Sequence, residues 1–164
     1  MFLLAMRPVI LARVPTGLGL SELYAIPAFR LYALVALLLI LKMFAVAFYV
    51  AALRVRRKVF SAPEDYETFD AAPRATADEE IERARRAHLN DLENILPFLA
   101  AGLLYALTAP SMGVARVYFW GFLLARVFHT VAYIGGLQPH RTIAYAVGIV
   151  LTIAMTIQTL VLVP

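Results

Sequence analysis

Leu31-Tyr32-Ala33-Leu34-Val35-Ala36-Leu37-Leu38-Leu39-Ile40-Leu41-Lys42-Met43-Phe44-Ala45-Val46-Ala47-Phe48-Tyr49-Val50-Ala51-Ala52-Leu53 carries a single charge, Lys42, and Arg54, Arg56, Arg57 and Lys58 follow at once. As a helix rising 1.5 Å per residue it reaches about 35 Å, enough for a bilayer core of about 30 Å. Three later stretches have the same character: Asn94–Ala115, Val117–His140 (interrupted by Arg126) and Thr142–Pro164. The expectation is an all-α integral membrane four-helix bundle. Residues 31–164 form it, with a loop of about 54–76 after the first span. Residues 1–30, broken by Pro8, Pro15, Pro27, Gly17 and Gly19, form an N-terminal extension of unassigned role. They lack the charged start and small-residue cleavage site of a secretory signal.

Composition agrees. Of 164 residues, 62% are hydrophobic and 16% charged, where a soluble domain has about 45–50% and about a quarter. This excludes a water-soluble globule, a disordered chain and a nucleic-acid-binding domain, although the net charge is +4. With no cysteine, a disulfide framework, a thiolate metal site and a protein-borne cysteine nucleophile are excluded too. Any thiol chemistry must use a thiol that arrives with a ligand.

The charges are unevenly placed. Residues 54–93 hold ten of the eleven acids, and beyond Asn94 only Arg116, Arg126 and Arg141 are charged. Arg54 to Lys58 and Arg141 fall in loops on one side of a four-span topology, which the positive-inside rule makes cytoplasmic. Arg7, Arg13 and Arg30 pull the other way. In the long loop, Ser61-Ala62-Pro63-Glu64-Asp65 and Ala72-Pro73 read as turn and extended segments. Thr76-Ala77-Asp78-Glu79 fits a capping box, with Thr76 at the cap and a helix running from about Ala77 into the second span. Pro97 lies inside that helix and denies the Glu93 carbonyl its usual partner. A kink beside an acid at the membrane boundary reads equally as functional or as plain helix geometry.

Polar residues in lipid are costly and mark functional candidates. At 100° per residue, Arg126, His129, Thr130 and Tyr133 share one stripe, and Arg86, Asn90 and Glu93 another, with His88 nearly opposite. Arg141, Thr142 and Tyr145 open the fourth helix. Arg54, Asn90 and Glu93, His129 and Tyr133, and Arg141 and Tyr145 all lie toward the cytoplasmic side, so polar groups from four helices converge on one level of the membrane. They include no paired carboxylates and no second histidine spaced for metal, so no metal centre is expected. Nor is there a glycine-rich phosphate loop. Arginine in excess suits an anionic ligand with carboxylates, and beside a thiol it favours the thiolate. The simpler expectation for Glu93 and Arg126 is a structural ion pair between the second and third helices. Lys42 could pair, snorkel or face a polar interior, and a structural role is favoured.

Arg83-Ala84-Arg85-Arg86-Ala87-His88-Leu89-Asn90-Asp91-Leu92-Glu93-Asn94-Ile95-Leu96-Pro97-Phe98 resembles the signature of the family of membrane-associated proteins in eicosanoid and glutathione metabolism (MAPEG). Val59-Phe60-Ser61-Ala62-Pro63-Glu64-Asp65 is similar to its motif after the first helix, and Ala125-Arg126-Val127-Phe128-His129-Thr130-Val131-Ala132-Tyr133 to its third helix. The resemblance covers about Leu34 to Leu160. The microsomal glutathione transferase branch is nearest, with the microsomal prostaglandin E synthase branch beside it.

This resemblance implies a homotrimer of four-helix bundles, with glutathione bound near the cytoplasmic side between neighbouring subunits. It assigns Arg54, Arg86, Asn90, Glu93, Arg126, His129, Tyr133 and Tyr145 to the site that holds the tripeptide. Arg126 becomes an electrostatic partner of Glu93, Arg141 the thiolate-stabilising catalytic residue, and Thr142 a hydroxyl near the sulfur. Leu89 stands where the synthase branch has an arginine tied to isomerase chemistry, whereas Thr142 and Tyr145 look more like that branch. Tyr66 lies near the position where mammalian transferases have a reactive cysteine, so their thiol-modification switch is expected to be absent. The implied activity is glutathione conjugation to hydrophobic or lipid electrophiles, with peroxidase activity toward lipid hydroperoxides. The alternatives are a glutathione-dependent endoperoxide isomerase and a non-catalytic lipid-binding scaffold. A four-helix transporter is a weaker reading, because the two halves share little pattern. The expected location is a bacterial inner membrane or endoplasmic reticulum, with the site toward the cytoplasm.

Overall fold

A computed structural model describes residues 19–72 and 78–162, which contain six helices and no strand. These are α1 (Leu20–Ala25), α2 (Pro27–Arg57), α3 (Pro63–Thr68), α4 (Glu79–Leu107), α5 (Met112–Ile134) and α6 (His140–Leu162). Among the described residues, α2, α5 and α6 are long and apolar enough to cross a membrane.

Local chemistry sets the ends. α2 begins at Pro27, in the first turn, where a missing N–H costs nothing. It stops where Lys58 turns left-handed (φ 52°) after Arg54, Arg56 and Arg57, cations that suit a helix C-terminus. The segment after Ala62, expected to be turn and extended chain, is instead the short helix α3, started by Pro63 with Glu64 and Asp65 in its first turn. Tyr66 Oη both receives a bond from the Phe60 amide and donates to the Phe60 carbonyl (3.1 Å each), while Phe60 stacks on Phe69.

The start of α4 corrects the expected cap. Asp78 caps it, accepting from the Glu80 and Ile81 amides at 3.1 and 3.2 Å, while Thr76 and Pro73 lie outside the described residues. Asp78 also accepts from Arg57 Nη1 at 2.8 Å, and Arg57 pairs with Glu80 as well. The polar end of α2 is thus clamped to the start of α4, above a small apolar cluster of Leu53, Ile81 and Ala84.

α4 continues through Pro97 but ends at Leu107. The stretch 94–115 is therefore not one span. Ala109 takes φ 50° just before Pro110, a residue that disfavours helix in its predecessor, and α5 starts at Met112. α5 ends at Ile134, short of the expected His140, at Gly135-Gly136, and His140 opens α6 instead.

α4 packs against α2, α5 and α6. Val35 and Leu39 of α2, Ile95, Phe98 and Tyr105 of α4, Phe119 and Phe122 of α5 and Met155 of α6 form the apolar core. Phe98 and Phe122 stack face to face there. Outward, α2 shows Leu37, Leu41, Phe44 and Phe48, and α6 shows Val150, Ile153, Ile157 and Leu160. Faces this apolar belong in lipid or against other protein rather than in water.

Candidate functional site

Helical periodicity brings polar side chains from three helices to one cavity of about 170 Å³, lined by Asn90 of α4, His129 and Tyr133 of α5, and Arg141, Thr142 and Tyr145 of α6. On α5, His129 and Tyr133 are one turn apart and meet edge to face, with ring centres 5.6 Å apart. Arg141 and Tyr145 stand one turn apart at the start of α6, and the Arg141 guanidinium lies 4.5 Å over the Tyr133 ring. This cation–π contact holds the guanidinium against the aromatic face. Gln138, in the preceding loop, accepts from Arg141 Nε at 3.1 Å and donates to Thr142 Oγ1 at 3.0 Å when its amide is oriented to satisfy both.

His129 Nδ1 lies 3.0 Å from the Arg141 carbonyl oxygen. A carbonyl only accepts, so Nδ1 carries the proton. That bond ties the start of α6 to α5 beside the cavity.

Behind the lining is a buried ion cluster. Arg126 and Asp91 are both fully buried. Arg126 Nη2 donates to Asp91 Oδ1 at 2.9 Å and to Asn90 Oδ1 at 2.6 Å. Asp91 Oδ2 pairs with Lys42 of α2 and accepts from Thr130 Oγ1 at 3.3 Å. Two cations face one carboxylate, leaving one net positive charge behind a cavity whose lining has no carboxylate.

The predicted residues thus divide. Asn90, His129, Tyr133, Arg141, Thr142 and Tyr145 meet at the cavity, and Arg126 supports Asn90 from behind. Arg54, half-buried on α2, and the exposed Arg86 and Glu93 do not line it within one chain. The expected Glu93–Arg126 pair is corrected: Arg126 pairs with Asp91, and Glu93 is exposed. Residues two positions apart on a helix differ by about 200°, so Glu93 points away when Asp91 points in. Asp91 is the residue that the sequence reading missed. The signal was present, because Asp91 lies seven residues after Ala84, four before Ile95 and seven before Phe98, all buried. Lys42 takes the paired option among those open to it.

Such a lining offers one cation, Arg141, with hydroxyls and N–H donors, to an anion in a partly dry setting. There an arginine favours the ionised form of a thiol or carboxylate.

Comparison with known proteins identifies the family. The MAPEG family model matches residues 32–161. Microsomal glutathione S-transferase 1 of Sus scrofa is 42% identical over 146 residues, covering 86% of this chain and 94% of that protein. The Rattus norvegicus protein of the same name is 44% identical over 138 residues, covering 81% and 87%. Prostaglandin E synthase of Bos taurus is 39% identical over 145 residues, covering 88% and 93%. With the family model spanning most of the chain and relatives matched over nearly their whole length, this membrane protein belongs to the MAPEG family.

Proposed function

We propose that this chain is a membrane-bound glutathione transferase that joins the glutathione thiolate to hydrophobic electrophiles arriving through the lipid. The observation that carries this reading is the cavity where Arg141, stacked on Tyr133, meets Asn90, His129, Thr142 and Tyr145. The names of the relatives supply the identity of the thiol.

In this mechanism the Arg141 guanidinium stabilises the thiolate and the thiol proton passes to water. The sulfur attacks the electrophilic carbon of a chlorinated aromatic, a C–S bond forms, and chloride leaves. The Thr142 hydroxyl donates to the sulfur. With a lipid hydroperoxide, two glutathiones are oxidised to the disulfide while the O–O bond is reduced to an alcohol and water.

A cavity of about 170 Å³ is smaller than the roughly 300 Å³ at which small-molecule sites begin. We therefore assign Arg54, Arg86 and Glu93 to the rest of the tripeptide, held between chains of a homotrimer. The arginines take its carboxylates and Glu93 its ammonium. α4 serves as the fourth span. Its apolar part, from Asn94 to Leu107, is short for a bilayer, and its charged half projects on the cytoplasmic side with Arg54 to Lys58 and the start of α6.

The prostaglandin E synthase relatives support a second reading, a glutathione-dependent endoperoxide isomerase. Leu89, an exposed apolar side chain, argues against it, and a product assay separates the two. A lipid-binding scaffold would bind no glutathione.

The direct test uses detergent-purified protein, glutathione and a chlorinated aromatic. Conjugation is expected, and Arg141→Ala should lower turnover on the order of 10²-fold, as loss of one preorganised charge partner does. Undiminished turnover and thiolate absorbance in Arg141→Ala would remove the role assigned to it.

A further inference from the structure

The ion cluster behind the cavity bears on the site in a way that a structural ion pair would not. Asp91 is fully buried and anchored at both oxygens, Oδ2 to Lys42 and Thr130, and Oδ1 to Arg126 Nη2. The same Nη2 continues to Asn90 at 2.6 Å. A guanidinium only donates, so the Asn90 atom it meets is the carbonyl oxygen, and the free end of that amide is its NH₂. Asn90 lines the cavity, whereas Asp91, Lys42, Thr130 and Arg126 do not. Arg126 is itself hemmed in: a β-carbon on Gly148 would sit 3.6 Å from its Cδ, beside the Phe122 ring.

We propose that Asp91 is a positioning residue for the cavity: by holding Arg126 it pins the Asn90 carbonyl, so that Asn90 presents N–H donors to the ligand. An unpinned amide could turn its carbonyl oxygen toward the cavity, where it would repel a carboxylate or thiolate. Pinning selects the orientation that an anion needs, at a point where the cluster's net positive charge adds to the attraction. Buried ion pairs can often be replaced by apolar groups without loss of stability. The feature specific to this one is its direct bond to a lining residue. The proposal rests on the glutathione reading above.

The test measures kcat and the glutathione KM of detergent-purified full-length protein in the conjugation assay, for wild type, Asp91→Asn, Asn90→Ala and the double variant. Asp91→Asn should raise the glutathione KM about tenfold, the scale of one hydrogen bond to a charged group. Its kcat should stay within about twofold, since ground-state binding is what is lost. In the Asn90→Ala background the same substitution should add less than about twofold, the non-additivity of residues acting through one another. A general loosening of the fold would multiply KM equally in both backgrounds. That result, or an unchanged KM in Asp91→Asn, overturns the proposal while leaving the glutathione reading in place.

If Asp91→Asn does not fold, Thr130→Val replaces it. That variant keeps all three charges and removes the hydroxyl's bond to Asp91 together with the one it accepts from Lys42. It should raise KM about two- to threefold, and only when Asn90 is present; equal effects in both backgrounds again overturn the proposal. Wild-type protein that binds no glutathione overturns the glutathione reading and this proposal together.

Discussion

Arg141 is held from three directions: the Tyr133 ring lies under its guanidinium, Gln138 takes its Nε, and His129 bonds its backbone carbonyl. A side chain so constrained loses little further freedom on meeting a ligand. Asp78 shows the same economy at the start of α4. It caps the helix and pairs with Arg57, and the Arg57 guanidinium first, with the Ile81 amide next, holds its carboxyl below the ordinary carboxylate range. A depressed folded value means that the stabilisation is full above the unfolded carboxyl value of about 3.9. It is lost as pH falls from there through the folded value. Asp78→Ala should therefore lower the thermal midpoint at neutral pH, and the gap from wild type should close in acid. A gap that stays undiminished as pH falls from 3.9 into strong acid would show that another contact holds this junction.

Among the elements, α4 does most to organise the site. Its buried face places Ile95 and Phe98 in the apolar core and Asp91 in the ion cluster, while Asn90, one residue earlier, reaches the cavity. The α5–α6 loop matters too, since it sets where α6 begins and so where Arg141 stands. Gly136 there has φ 68°, and a β-carbon would stand 3.0 Å from Arg83 Nη1. Arg83 can move aside, but an L side chain in that backbone conformation costs roughly 1–2 kcal/mol. Gly136→Ala should destabilise by that amount in detergent unfolding, and Gly113→Ala, at a position with nothing nearby, should not destabilise. Equal behaviour of the two would mean that the loop does not hold this strained turn.

For the whole molecule, the outer faces of α2 and α6 are too apolar for water, and the single-chain cavity is too small for a tripeptide. In the homotrimer proposed above, lipid covers part of these faces and neighbouring chains complete the site. The detergent-solubilised particle should have a protein mass of three 18.2 kDa chains by light scattering corrected for detergent. A monomer that conjugates glutathione at full rate would remove Arg54, Arg86 and Glu93 from the site as assigned here.

Legibility followed physical range. Apolar runs and helical stripes are local properties, so the all-α membrane class and the separate polar stripes of α4, α5 and α6 could be read along the chain, whereas Arg54 and Glu93, expected to join them, do not line the cavity within one chain. The end of the second apolar run was misjudged because hydrophobicity does not register a backbone break. Pro110 and the left-handed Ala109 stop α4 where composition alone continues. Arg126 was recognised as needing a partner, but the choice between Asp91 and Glu93 depended on how α4 is rotated against α5. That rotation follows from the packing of Ile95, Phe98 and Phe122. The sequence by itself determined that a few charges must lie among apolar helices and that any reactive thiol must be brought in. Only the tertiary structure decided which carboxylate answers which cation, because pairing depends on the facing of two helices whereas periodicity describes one.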